Sequence, residues 1–483
     1  MVDDNDDMYV SESDREHPLT RASFLGRAVK GGATIVAAPA LLELLAACGS
    51  ASSSSTSVAA PSSAGSLASA TKTVFTTLYP PVSGAQPAAG KTFQVGQNLA
   101  MTGSGAFYGQ VMSRGAALAS AQIKAFGGPD FHMNINDHKG LTSASVLGVQ
   151  RLIAVNSIHT LETSYAAPTE ALIPALQRSQ ILTFNGGGAS PGQIGKDFVW
   201  QTRMLLGWDS MPGALAWLHA TFPTLKNVAV IGTLENGVEA YRKKLPVQWP
   251  KLVPGAKIVD TEIHNVGETN YAPFIDRILA AKPDWVYTFS FGDDLGYQIK
   301  QFRNAGYKGL ILGNEFTVDA YRIAGKDMDN GYFFAYDYFD PNNSNPLTQQ
   351  FVTAHKKTYG IAPEFYGANY YEITLILWEL VRRVQAKGGN PNSGAELQAA
   401  LEANPTFPSV YGGSAGKVGS ITFDLTKSTV SGHTVSKPMG VYQETNGVAQ
   451  LLQFIQRIEF NADPTTAVVG SPQMKPTWQL PGA

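Results

Sequence analysis

Short apolar runs and amphipathic stretches take turns along most of the chain. Phe93–Leu99 reads as a strand, Val111–Phe126 has helical spacing, and Phe131–Asn136 alternates as a half-buried strand does. Ser143–Val155 and Glu170–Gln180 are helical in period, with Ile181–Phe184 a short apolar strand after them. Ser210–Thr221 predicts a helix, with Asp209 or Ser210 as its N-cap and Pro212 in its first turn. Strands at Val228–Gly232, Ile258–Ile263, Val286–Phe289 and Leu310–Leu312 follow, separated by a helix from Val238 and helices Ala272–Ala281 and Leu295–Ala305. Long helices over Leu347–Tyr359 and Tyr366–Ala386 precede closing strands at Gly419–Phe423 and Met439–Tyr442. This β-α repetition with short loops predicts an α/β fold of parallel sheets flanked by helices. After Phe460 the chain is rich in proline, which predicts an irregular tail over 461–483.

The first ninety residues have a different pattern. An acid-rich start to Glu16 gives way to Arg21, Arg27 and Lys30, then to a mostly apolar stretch ending Leu45-Ala46-Ala47-Cys48. Charge, an apolar region and small residues before a cleavage point make an export signal, here 1–47. The apolar stretch holds Pro39 and Glu43 and is too short for a stable membrane helix. Leu-Ala-Ala-Cys resembles a bacterial lipobox, which implies that Cys48 is lipidated and heads the mature chain. Thr20-Arg21-Ala22-Ser23-Phe24-Leu25 resembles a twin-arginine signal with Ala22 where the second arginine belongs. The twin-arginine and general export routes therefore both stay open. Residues 48–90 read as the lipidated cysteine followed by a Ser/Ala/Pro-rich tether, because such a segment buries too little apolar surface to offset its ordering entropy.

Composition narrows the function by exclusion. The chain has 483 residues, 44% of them hydrophobic and 15% charged, enough for a large folded core in more than one domain. A net charge of −2 gives no basic surface for nucleic acid. Cys48 is the single cysteine, so no intramolecular disulfide forms. The eight histidines include no pair at metal-ligating helical spacing, and no metal or cofactor is predicted.

Three strings suggest enzymes and fail on chemistry. Gly103-Ser104-Gly105-Ala106-Phe107-Tyr108 follows a strand, but Tyr108 stands where a dinucleotide fingerprint needs its third glycine. Gly188-Ala189-Ser190-Pro191-Gly192 matches a nucleophile elbow, yet Pro191 has no N–H for the oxyanion hole. Gly412-Gly413-Ser414-Ala415-Gly416, with Asp424 and His433 after it, crowds a triad into one short loop-and-strand stretch and reads as a glycine-rich turn.

In open α/β sheets ligands bind beyond the carboxyl ends of strands, so the loops after strands hold the candidates. FQVGQNLAMTGSGAFYG (93–109), NGGGASP (185–191), Asn270-Tyr271-Ala272-Pro273-Phe274, Gln301-Phe302-Arg303-Asn304-Ala305-Gly306, Gly313-Asn314-Glu315 and Gly419-Ser420-Ile421-Thr422-Phe423-Asp424 occur in that order. Over roughly Thr92 to Glu459 the chain resembles the leucine/isoleucine/valine-binding proteins of ABC importers. The resemblance implies a class I periplasmic-binding-protein fold: two lobes joined by three hinge crossovers. Lobe one is placed at 92–207 and 337–436, lobe two at 208–336 and 437–460, with Gly207-Trp208-Asp209 at the first crossing.

The resemblance also assigns roles. Tyr108 matches the aromatic that packs on the ligand; a core tyrosine is the alternative. Gly187, Gly188 and Ala189 match the loop that offers backbone groups and a small hydroxyl to a ligand carboxylate, with Ser190 beside it. Ser164 falls where the family supplies a serine. Glu315 matches the acid that pairs with a ligand ammonium; a solvated loop glutamate is the alternative. Where lobe-two aromatics often stand, this chain has Asn236 and Phe291, so its ligand extends to polar amino acids, amides, urea-like molecules or aromatic acids. The implied protein is a monomeric lipoprotein outside the bacterial cell membrane, without enzymatic activity, that passes a small polar solute to ABC permease subunits. A sensor on the same fold is the alternative, and a surface-layer hydrolase a more remote one.

Overall fold

The computed structural model describes residues 74–80, 90–203, 210–233, 236–329, 331–426, 428, 431–435, 437, 439–455, 465 and 469–480, with backbone alone for 236–242 and 471. The export signal, Cys48, the tether up to 73 and Gly207-Trp208-Asp209 lie outside the described residues.

The predicted alternation becomes two sheets. The first lobe holds β1 (Thr92–Leu99), β2 (Asp130–Asp137), β3 (Thr160–Thr163), β4 (Leu182–Asn185) and β5 (Val199–Gln201) in the order β2-β1-β3-β4-β5, all parallel. Four helices link these strands: α2 (Ala106–Phe126), α3 (Thr142–Asn156), α4 (Ala166–Glu170) and α5 (Ile173–Ser179). The single helix predicted for 170–180 is thus two short ones.

The second lobe is built on β6 (Val228–Thr233), β7 (Ile258–His264), β8 (Trp285–Phe289), β9 (Leu310–Gly313) and β10 (Tyr332–Asp337). Three antiparallel strands, β13 (Met439–Thr445), β14 (Val448–Ile455) and β15 (Val469–Pro472), extend it to eight in the order β15-β14-β13-β10-β9-β8-β6-β7. Helices α6 (Met211–Thr221), α7 (Asn236–Leu252), α8 (Ala272–Ala280), α9 (Gly292–Asn304) and α10 (Val318–Ala324) belong to this half. After β10 the chain returns to the first lobe with α11 (Pro346–Tyr359), α12 (Phe365–Ala386), α13 (Gly394–Ala403) and the hairpin β11 (Thr406–Ser414) and β12 (Lys417–Thr422).

α12 explains how the first lobe closes over its core. Nearly every side chain along it is buried, and the polar ones among them, such as Asn369 and Glu372, are hydrogen-bonded. It lies against α2 at a point where a Cβ on Gly115 would come within 2.1 Å of the Gly367 carbonyl oxygen. Only glycine permits that backbone approach. The second lobe keeps an apolar layer on each face of its sheet, around Trp249 and Trp285 on one side and Tyr271 and Phe302 on the other.

Both ends differ from the sequence reading. Residues 74–78, placed in the tether, form a short helix (α1); its Phe75 is buried against Phe126 and Trp378, and Tyr79, just after it, against Trp378. Burying a phenylalanine contributes roughly 2–3 kcal/mol, enough to dock a five-residue helix that would not hold alone. The tail, read as irregular, supplies β15, and Trp478 packs on Phe222 and Phe333 and closely over Gly331. Its prolines obscured the strand, and its apolar anchor meets partners far away in sequence.

Candidate functional site

The strand ends of the first lobe meet at one place. After β2 comes His138, after β3 Ser164 and Tyr165, and after β4 the loop Gly186–Ser190. Asn185 organises this loop: its Oδ1 accepts the Gly187 and Gly188 N–H groups at 3.1 and 3.0 Å. Its Nδ2 donates to Gln193 Oε1 at 2.8 Å and to the Tyr165 carbonyl at 3.3 Å. The amides of Gly187 and Gly188, expected to face a ligand, are therefore engaged within the loop. What these glycines contribute is room. A Cβ on Gly187 would sit 2.7 Å from the Ser164 Cβ, and one on Gly188 would sit 2.5 Å from the Tyr165 Cα. The Ala189 N–H has no acceptor among the described residues. Ser190 is buried, and its hydroxyl is bonded to Glu170.

Tyr165 has φ 67° and ψ 151°, a backbone conformation that side chains other than glycine's rarely adopt. Strain of this kind costs on the order of 1–3 kcal/mol and persists where surrounding contacts over-determine it. Here the Asn185 hydrogen bond and the packing of Gly188 do so. The Tyr165 ring stands edge-on to His138 and Tyr108, with centroids 5.4 and 6.5 Å apart.

The second lobe contributes Glu315, just beyond β9, and Phe291, the residue before α9. The Glu315 side chain is fully buried. The Tyr108 hydroxyl donates to one of its carboxyl oxygens, and the Tyr366 hydroxyl donates to the other at 3.0 Å. Each phenol is held from behind. The Gly292 N–H donates to the Tyr108 oxygen at 2.9 Å, and Arg203 Nη1 donates to the Tyr366 oxygen at 2.7 Å. Both phenolic hydrogens are thereby turned toward Glu315. Burial drives the Glu315 carboxyl up to about 8, against the lowering effect of the Tyr366 hydroxyl. Phe291 is half-buried, meets Phe289 edge-on at 4.9 Å and packs against the cores of both lobes. Asn236 is the first residue of α7, and its side chain lies outside the described residues.

Arg203, where the chain leaves the first lobe, and Asp337, where it returns, form a buried pair at 2.6 Å, with side chains 3% and 0% exposed. The guanidinium also stacks near the Tyr366 ring, 4.8 Å from its centroid. At the third crossing Lys437 pairs with Glu372 at 2.9 Å.

The structure thus brings together Tyr108, Ser164, Gly187, Gly188, Ala189, Phe291 and Glu315. It adds His138, Arg203 and Tyr366, which the sequence reading missed, and gives a strained backbone to Tyr165, which the resemblance had placed beside Ser164. His138 was within reach of the rule used for the others, because it directly follows a strand. Arg203 and Tyr366 had no such signal, as their partners are 134 and 51 residues away.

The enzyme-like strings resolve into ordinary structure. Pro191 opens a one-turn helix, Ser414 is exposed in the β11–β12 hairpin, and His433 is buried and stacked on Trp200 at 4.0 Å. Among the described residues there is no group of three metal-ligating side chains and no helix long and apolar enough to cross a membrane.

Two helix-flanked sheets, three crossings and polar strand ends facing one cleft define a two-lobed solute-binding protein of the class I periplasmic type, not an enzyme. The family model described as periplasmic binding protein matches residues 92–446, and the chain belongs to that family, whose members are extracytoplasmic. It is 24% identical over 331 residues to the Leu/Ile/Val-binding protein homolog 1 of Brucella suis, covering 66% of this chain and 84% of that one. Among solved structures, LivJ from Streptococcus pneumoniae in complex with isoleucine has a TM-score of 0.63 at 15% identity, covering 76% of this chain and all of that one. An R. palustris ABC-transporter solute-binding protein in complex with benzoate has a TM-score of 0.65 at 18% identity, covering 77% of this chain and 99% of that one. These two likenesses bear on the fold.

Proposed function

We propose that the chain is the lipid-anchored solute-binding subunit of an ABC importer, and that it captures a small carboxylate-bearing solute between lobe one (92–207, 337–436) and lobe two (208–336, 437–460). The observation that carries this reading is Glu315: a buried carboxyl on one lobe whose side-chain partners, Tyr108 and Tyr366, come from the other. A desolvated carboxylate favours a cation, and an α-ammonium entering between the phenols would supply one. Ser164 and Ala189 across the cleft offer neutral donors suited to the solute's carboxylate, with Tyr108 and Phe291 as packing surface. An amino acid fits this polarity. An aromatic acid fits the ring-rich walls and the Ser164 side but leaves Glu315 without a cation.

The test is a thermal-shift screen of the chain from Thr73 onward against amino acids, amides, ureas, polyols and small aromatic acids. A ligand at a hundred times its dissociation constant adds about 2.7 kcal/mol of stability. A hit among amino acids supports pairing with Glu315, a hit among aromatic acids alone removes it, and a flat screen after refolding counts against solute capture. Loss of uptake of the same solute in a deletion strain separates importer from sensor. Anchoring is tested on its own: Cys48→Ala is expected to release the protein from the membrane fraction, and retention there sinks the lipid anchor.

A further inference from the structure

Three groups at the strand ends of the first lobe fix the direction in which one proton points. The Gly140 N–H faces Nδ1 of His138 at 3.0 Å. A backbone amide only donates, so Nδ1 presents its lone pair, and the proton of the neutral ring is on Nε2. Nε2 lies 3.1 Å from Ser164 Oγ. A hydroxyl that accepts from Nε2–H must direct its own hydrogen elsewhere, and no acceptor takes it among the described residues. Ser164 itself packs against Gly187, at the loop assigned above to the ligand.

The surroundings hold this arrangement. His138 is fully buried, and the Tyr165 ring stands edge-on to it at 5.4 Å. Burial keeps the imidazole neutral by pushing its pKa down to about 4, against a smaller upward pull from Asp137. Asp137 is occupied by the Met101 N–H at 2.9 Å and by the hydroxyl of Thr102 at 2.5 Å. The strained backbone of Tyr165 directly follows Ser164.

We propose that His138 is a positioning residue that makes Ser164 a dedicated hydrogen-bond donor to the solute, so that the first lobe selects molecules presenting an acceptor oxygen, a carboxylate above all, at that point. The inference rests on the reading of Ser164 as a ligand contact, and it assigns the selectivity of that contact to a residue behind it.

The first readout needs no ligand. Nitrogen-15 NMR of histidine-labelled protein near pH 7 is expected to show His138 as the Nε2–H tautomer; the Nδ1–H tautomer overturns the proposal. The second uses L-leucine and benzoate as probes. His138→Gln places an amide nitrogen near the position of Nε2, whereas His138→Asn keeps an acceptor for Gly140 but falls short of Ser164. His138→Asn is expected to weaken whichever probe binds by about tenfold, with His138→Gln within about threefold of wild type, as befits one hydrogen bond to a charged acceptor. In a Ser164→Ala background the difference between the two variants should vanish. Equal binding by wild type and His138→Asn, or a difference that survives Ser164→Ala, overturns the proposal. If neither probe binds wild type, the solute class is wrong, and the tautomer then decides whether His138 orients Ser164.

Discussion

The two lobes prepare their halves of the cleft differently. On the first lobe the hydrogen bonds behind Ser164 and the glycine loop are internal: Asn185 to the glycine loop, Gly140 to His138, His138 to Ser164. Those bonds need nothing from the second lobe, unlike Tyr108, whose hydroxyl is held by Gly292 from across the cleft. On the second lobe the Glu315 side chain finds its partners across the cleft, on Tyr108 and Tyr366. Its environment exists only when the lobes meet. A preformed half suits recognition of the first solute group to arrive, while a half assembled on closing suits commitment. Neutral donors lie on the first side and an acid on the second, so the solute proposed above, with both a carboxylate and an ammonium, would be read by both.

The largest expected effect comes from breaking the link behind the assembled half. Arg203→Met leaves Asp337 as a buried charge without its 2.6 Å partner, which costs about 3–5 kcal/mol of stability. Urea denaturation measures it. Tyr366 also loses the donor that orients it, so amino-acid binding should weaken in the same variant. A stability unchanged within about 0.5 kcal/mol would show that the pair contributes nothing net at the crossings.

Next in size is a test of the asymmetry itself. Glu315→Gln is expected to cost about 2–5 kcal/mol in affinity for an α-amino acid, because the ammonium is then buried without a countercharge. Binding of an aromatic acid should change little. Ser164→Ala should weaken both classes, since both present a carboxylate to the first lobe. Titration calorimetry with four protein–ligand pairs decides the matter. If both variants weaken both ligands equally, the two halves do not divide the work as described.

Much of this could be read in the chain and some could not, for definable reasons. Gly187 and Glu315 lie just past strands that announce themselves by apolar runs, whereas Ser164 follows β3, whose Thr-Leu-Glu-Thr carries no such run, and Tyr108 lies inside α2; the family resemblance supplied the roles of all four. Gly187 and Gly188 were assigned a donor role they do not have free, because an asparagine two and three residues earlier already holds their amides. Tyr366 and Arg203 reach the site through partners distant in sequence, and nothing local marks them. The same holds for the termini: Phe75 and Trp478 sit in segments whose composition suggests coil, and each is ordered by aromatic partners, Trp378 for one and Phe222 and Phe333 for the other. Local composition sets what a segment can do alone; burial against a distant surface decides what it does.

The smallest effect per step is in pH, and it separates the halves without any substitution. With the lobes together, burial holds the Glu315 carboxyl up to about 8; when they part and water returns, it should fall toward its ordinary value of 4.5. Between those values the closed ligand-free form binds a proton that the open form has released. Raising the pH through that window therefore favours opening, by at most about 1.4 kcal/mol per pH unit. Below the window both forms are protonated and above it both are ionised, so the dependence ends on either side. Interlobe distance measured by fluorescence energy transfer should show the opening, and Glu315→Gln should abolish it. An α-ammonium reverses the sign, because it stabilises the ionised carboxylate in the closed form. Amino-acid binding near pH 7 should then expel a proton to the extent that the ligand-free protein is closed. Calorimetry in buffers of different ionisation enthalpy measures that proton, and an aromatic acid, which brings no cation to Glu315, should expel none.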